Sequence, residues 1–325
     1  MEREHIQPKR TNWGVLFFGL ALLPLLGGCD ESDCLNCQDP LPVAPTQVYT
    51  VAADGRVTVF WNDYPEYYTR RLQGYDIWRR DYQPGDENDP ARLFYWLAHV
   101  AVGRNYDAQR GQYHYVDTTT LNANDYEYAV SSVAPHGESY LSFEVVVATP
   151  LPMSEAPITL FDMAGAQSYR SGFDFSLAAE YSGNGAEGIV DPTVPGTTAD
   201  IRIRFDASGV PWLETLREDV RVQDGGTFLD ASNQLDFGGV YWAPEFGWSA
   251  SGVLELITGH IYILEIANEP NADDLHYAKL GVASIDMETR TARIMWAYQL
   301  VNGLPYLAVP ESHQQPGAEQ QAIEL

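Results

Sequence analysis

Hydrophobic and polar residues alternate with a period of two along most of the chain, and stretches with helical spacing are few. Arg56-Val57-Thr58-Val59-Phe60-Trp61 places Val57, Val59 and Trp61 on one face, and Gly74 to Arg80 places Tyr75 and Ile77 together. Arg92–Val102, Gln112–Val116, Tyr126–Val130 and Tyr140–Ala148 continue the pattern, with the acidic loop Gly85–Pro90 as a breaker. Short strands of this kind within about 110 residues, with no helical stretch between them, predict a β-sandwich. After Pro150-Leu151-Pro152, the sets Ile201/Ile203/Phe205, Ala278/Leu280/Val282 and Ala292/Ile294/Trp296/Tyr298 each share a face. Val253–Ile257 and His260–Ile266 are dense in branched apolar residues. The expected fold class is therefore all-β, a sandwich followed by a second, largely antiparallel β domain.

Two resemblances attach to these strands. The early strand ending in Trp61, then Gly74-Tyr75-Asp76-Ile77, Tyr115-Val116-Asp117, Tyr126-Glu127-Tyr128-Ala129-Val130 and Gly137-Glu138-Ser139 resemble the fibronectin type III fold across residues 43–152. That resemblance makes Tyr126 the tyrosine-corner residue, its hydroxyl bonded to backbone near Leu121. Gly247-Trp248-Ser249, Gly259-His260-Ile261-Tyr262, His276-Tyr277-Ala278-Lys279-Leu280 and Trp296-Ala297-Tyr298-Gln299 are similar to the HmuY-like domain of bacterial lipoproteins, within a second domain drawn at 156–310. Residues 311–325 form a polar tail.

The amino terminus reads as an address. Arg3, Lys9 and Arg10 precede an uncharged run from Thr11 to Gly28 whose apolar centre, Trp13–Leu26, is short of the ~20 residues that a membrane-spanning helix requires. Leu26-Gly27-Gly28-Cys29 looks like a lipobox, which implies a signal peptide over 1–28 and a mature chain beginning at lipidated (palmitate-bearing) Cys29, anchored in the membrane by its acyl chains. Residues 29–42 form a Pro- and Asp-rich tether. Asp30, Glu31 and Asp33 resemble a surface-export signal, while Asp after the lipidated Cys also matches retention at the inner membrane, so both outer-membrane or surface and inner-membrane locations follow from precedent. Cys34 and Cys37 in that tether lack the further ligands of a zinc site and the flanking strand and helix of a redox motif. A small local disulfide is the expectation.

Composition narrows the partners. Nineteen Lys+Arg against 45 Asp+Glu give a formal charge of −26, which opposes nucleic acid as a partner. Lysine occurs only at Lys9 and Lys279, a balance that fits either a saline medium or Arg-rich coding. Ile263-Leu264-Glu265-Ile266-Ala267-Asn268-Glu269-Pro270 resembles the acid/base motif of clan-A glycosidases, with Glu269 as the acid. Only 56 residues follow Glu269, too few for the remaining units of a (β/α)₈ barrel of about 250 residues, so the segment reads as a hairpin turn.

The HmuY-like resemblance also implies a haem alternative, in which His260 and His276 act as paired axial ligands. Asp86-Glu87-Asn88-Asp89 offers oxygen ligands without a full Ca²⁺-binding pattern, and Tyr64, Tyr67 and Tyr68 near Pro65 offer an aromatic platform for a sugar or peptide. No nucleophile elbow, phosphate loop or dinucleotide motif occurs. The expectation is a non-enzymatic envelope lipoprotein that binds a surface protein or glycan and needs no cofactor, with haem or small-ligand capture as the alternative.

Overall fold

A computed structural model describes residues 41–62, 72–82, 93–108, 110–181, 186–267 and 274–307. The first half holds β1 (Thr46–Ala53), β2 (Arg56–Asn62), β3 (Gly74–Tyr82), β4 (Tyr95–Ala101), β5 (Tyr106–Asp107), β6 (Gln112–Asp117), β7 (Asp125–Ala134), β8 (Gly137–Glu138) and β9 (Val146–Ala148). One sheet runs β1-β2-β6-β5. The other runs β4-β3-β7, with both β8 and β9 on the far side of β7. Every pairing is antiparallel. This division of strands between two sheets is the fibronectin type III arrangement.

Alternation decides what lies between the sheets. Val57, Val59 and Trp61 of β2 face Tyr75 and Ile77 of β3 and Tyr128 and Val130 of β7, all without measurable exposure. Trp61 meets Tyr75 edge-on at 5.4 Å and stacks on Tyr113 at 5.9 Å, geometries that aromatic quadrupoles favour. The tyrosine corner forms as expected, with the Leu121 N–H donating to the Tyr126 hydroxyl at 2.9 Å. The segment Tyr140–Val145, expected as strand, is not one. The Ser142 hydroxyl takes the Val130 N–H at 3.1 Å while the Ser142 N–H donates to the Val130 carbonyl, so a side chain fills a ladder position and the backbone ladder resumes only at Val146.

A buried charge joins the two sheets. Asp117, at the end of β6, accepts from Arg79 Nη1 of β3 (2.6 Å), the Tyr128 hydroxyl of β7 (2.8 Å) and both the N–H and the hydroxyl of Thr119 (2.9 and 2.7 Å). Burial opposes its charge, but hydrogen bonds from Thr119, Arg79 and Tyr128 outweigh that and hold its carboxyl below the ordinary carboxylate range.

The second half is also a sandwich. Its strands are β10 (Ile158–Phe161), β11 (Gly172–Phe173), β12 (Ile189–Val190), β13 (Ile201–Phe205), β14 (Pro211–Thr215), β15 (Val220–Thr227), β16 (Val253–Glu255), β17 (His260–Ala267), β18 (Leu275–Asp286) and β19 (Thr291–Tyr298). They form antiparallel sheets ordered β10-β19-β18-β17-β15 and β12-β11-β13-β14-β16. The three apolar sets read from the sequence all point into the space between them. A short helix, α1 (Phe175–Glu180), also adds to this core. Asp174 caps it by accepting the Leu177 N–H at 2.9 Å. Tyr262 makes a second corner: its hydroxyl accepts from the Ile257 N–H at 3.0 Å and donates to the Glu255 carbonyl, with the same five-residue spacing as Tyr126 and Leu121.

The sheet containing β17–β19 is covered on both faces. Away from the sandwich core, Ile261, Ile263 and Ala297 pack under Phe237, Val240, Ala243 and Leu307. Gly281 makes this cover possible, because a Cβ there would lie 2.7 Å from the Phe237 ring and 2.8 Å from Leu235. The same buried cluster continues through Met153 and Leu151 into the first sandwich.

Replacing Asp117 by alanine is expected to cost about 3–5 kcal/mol in chemical unfolding, since Arg79 is left without its buried counter-charge, with a smaller loss for Asp117→Asn. The contribution exists above the unfolded value of 3.8 and disappears as pH falls through the lower folded value, so the wild-type advantage over Asp117→Asn should shrink only below about pH 3.8.

Candidate functional site: an aromatic face on the first sandwich

The face of the β4-β3-β7 sheet turned away from the core is built by parity. With Tyr75 and Ile77 inward, Asp76, Trp78 and Arg80 of β3 point outward. Register pairs Trp78 with Trp96 of β4 and with Ala129 of β7, and a bulge between Ile77 and Trp78 brings Trp96 to the same side. Side-chain contacts tie the face together. Trp78 Nε1 donates to Ser131 Oγ at 2.8 Å and to Glu138 at 3.2 Å, Arg80 pairs with Glu127 and lies 4.5 Å from the Phe94 ring centroid, and Asp76 meets His99 Nδ1 at 2.6 Å. Val147 of β9, opposite Glu127, extends it at the far side.

Much of this surface is apolar and open. Trp96, Val145 and Val147 are exposed, and in the adjoining irregular segment Tyr140 and Phe143 are 88% and 97% exposed. Aromatic side chains supply much of the energy at interfaces, and exposed rings on and beside one sheet face therefore mark a candidate binding surface. Asp76, Glu127 and Glu138 bring carboxylates among these rings, beside the Arg80 guanidinium.

The structure separates the two candidate haem ligands. His276 pairs with Ile266 on β17, six positions from His260, which is about 20 Å at roughly 3.4 Å per residue. Both rings are also engaged. His260 bonds Thr227 through Nε2 (2.8 Å) and Asp224 through Nδ1 (3.0 Å), and His276 bonds the Gln299 carbonyl through Nδ1 and Asp274 through Nε2 (both 2.9 Å). The paired-histidine clamp implied by the resemblance is therefore not assembled by these two residues. Among the described residues no three His, Cys, Asp or Glu side chains converge to hold a metal ion, and no helix is long and apolar enough to cross a membrane. Cys29, Cys34 and Cys37, the platform residues Tyr64, Tyr67 and Tyr68, the acidic loop Asp86–Asp89 and Asn268-Glu269-Pro270 lie outside the described residues.

Lys279 of β18 is fully buried, an arrangement the sequence reading did not anticipate. Its ammonium donates to the carbonyls of Phe237 (2.9 Å) and Val240 (2.7 Å) and sits 4.4 Å from the Phe237 ring centroid. Burial lowers its pKa to about 7, against the pull of Asp236. An amine enclosed in this way fastens the cover layer to the sheet.

No family model and no curated protein matches the chain. Among solved structures it is similar to a fibronectin-III-like protein from Clostridium thermocellum, at 19% identity over 34% of this chain and 96% of that one, TM-score 0.25. It is also similar to the third fibronectin III domain of human KIAA0343 protein, at 19% identity over 37% and 92%, TM-score 0.28. The FN1–FN3 domains of chicken CNTN1 align with 79% of this chain and 65% of their own length, at 14% identity and TM-score 0.28.

Because the unfolded chain keeps the Lys279 proton up to 10.5 while the folded chain releases it near 7, wild-type stability should rise relative to Lys279→Met between those values, by up to about 1.4 kcal/mol per pH unit. Urea unfolding of both proteins at pH 7, 8 and 9 measures it, and parallel profiles would show that the amine stays charged in the fold.

Proposed function

We propose that the chain is a non-enzymatic, lipid-anchored envelope protein that presents two β modules and engages a partner through the aromatic face of its first sandwich. The exposure of Trp96, Val145, Val147, Tyr140 and Phe143 on and beside one sheet face carries this reading. Supporting it are Leu26-Gly27-Gly28-Cys29, which resembles a lipobox, and the acidic residues Asp30, Glu31 and Asp33 that follow it. In this reading the 1–28 segment is removed, the 29–42 tether spaces the modules from the outer membrane, and residues 156–310 form a HmuY-like domain. The face has the composition of a protein–protein interface, with aromatic rings at its centre and charges among them.

Labelled palmitate should appear on the wild-type protein and not on Cys29→Ala, and an unlabelled wild type would remove the anchor from this account. Binding of the full-length Cys29→Ala protein to isolated envelopes should weaken about tenfold on adding Trp96→Ala, the effect of one interface aromatic worth roughly 1.4 kcal/mol. Unchanged binding would place the interface elsewhere.

A further inference from the structure

We infer that the free edge of β4 takes up an extended, basic polypeptide segment as an added strand, whose side chains lie over Trp78 and Trp96. This rests on the binding role proposed above and specifies the partner.

β4 stands at the end of its sheet, and among the described residues no strand pairs with its outer side. A free edge presents a row of backbone donors and acceptors, and proteins usually blunt it with charge, proline or brevity. Tyr95-Trp96-Leu97-Ala98-His99-Val100-Ala101 holds seven residues with no Lys, Arg, Asp, Glu or Pro, and its sole irregularity is the bulge that turns Trp96 outward. Other edges are protected differently. β5 and β12 have two residues each, β9 and β16 have three, β10 has four, and β15 carries Arg221 and Asp224. β1 is equally uncharged but lies against β9, where Thr50 donates to the Val147 carbonyl at 3.3 Å.

Strand addition draws affinity from main-chain hydrogen bonds and selectivity from the surfaces that meet alternate side chains. Here those surfaces are the Trp96, Trp78 and Phe94 rings and the Asp76 carboxylate of β3, the strand next to β4, with Glu138 farther in against Trp78. Among the described residues of that face the Arg80 guanidinium is already paired with Glu127. Lysine or arginine side chains satisfy both, by charge and by packing on aromatic rings. A second copy of the chain is the poorer occupant, because two bodies of formal charge −26 repel each other.

The test is calorimetric titration of the full chain in detergent with three nine-residue peptides: alternating Lys-Val, alternating Glu-Val, and Lys-Val N-methylated at every second residue in either phase. The Lys-Val peptide should bind. Glu-Val and one N-methylation phase should each bind about tenfold more weakly, the loss of a few charge-assisted or main-chain bonds. Trp96→Ala should weaken Lys-Val binding at least severalfold, with an unchanged melting curve. Equal binding of Glu-Val that depends on Trp96 would overturn the basic partner and leave the binding face intact. Indifference to both N-methylation phases would overturn strand addition. Self-association abolished by Trp96→Ala would make the occupant a second copy. If neither peptide binds and Trp96→Ala leaves envelope binding unchanged, this inference and the proposed function fall together.

Discussion

The backbone between the two sandwiches is held against the edge of a sheet. The Tyr298 N–H donates to the Pro152 carbonyl, the Ser154 N–H to the Trp296 carbonyl, and the Trp296 N–H to the Ser154 hydroxyl, while Met153 bridges Ala297. These bonds hold Leu151 and Met153 in the interior, and the two side chains complete a buried cluster with contributions from both halves. Arg56 and Glu155 add an ion pair beside them, exposed enough that it contributes little. Pro150 is tied as well, its carbonyl accepting the Ala123 N–H next to the tyrosine corner. A connector of this kind transmits orientation, because turning one sandwich against the other requires breaking ladder bonds and exposing apolar surface.

That constraint was not legible in the sequence, where Pro150-Leu151-Pro152 reads as punctuation. Proline rules out a regular strand, and nothing in the local pattern shows that a neighbouring sheet edge will satisfy the remaining backbone groups. The strands themselves were legible wherever one face is buried and the other wet, as in β13, or where both are buried and branched residues run on, as in β17. Alternation misjudged Tyr140–Val145 because it counts side chains and cannot see that the Ser142 hydroxyl has replaced a backbone partner. Helix α1, at six residues, is too short to display a period, although Asp174 before it is a serviceable cap.

The candidate site was half legible. Once Tyr75 and Ile77 face the core, Trp78 must face away, and a tryptophan at an outward strand position is already a signal. Reading the bulge that aligns Trp96 with it requires coordinates, as does the finding that Phe143 has no cover. The two histidines were grouped by their nearness in a predicted hairpin, but antiparallel register sends residues near the start of one strand and the start of the next to opposite ends. Sequence distance from the turn, more than motif, decides which residues of a hairpin can meet.

Lys279 has a chemical corollary. The other lysine, Lys9, precedes the lipobox, so a chain beginning at an acylated Cys29 would contain a single side-chain amine, and that amine is sealed beneath the Phe237 turn. Such a protein in its native state is nearly inert toward acylating labels and lysine-directed crosslinkers. Any modification that does appear reports the fraction of molecules whose cover has lifted from the sheet.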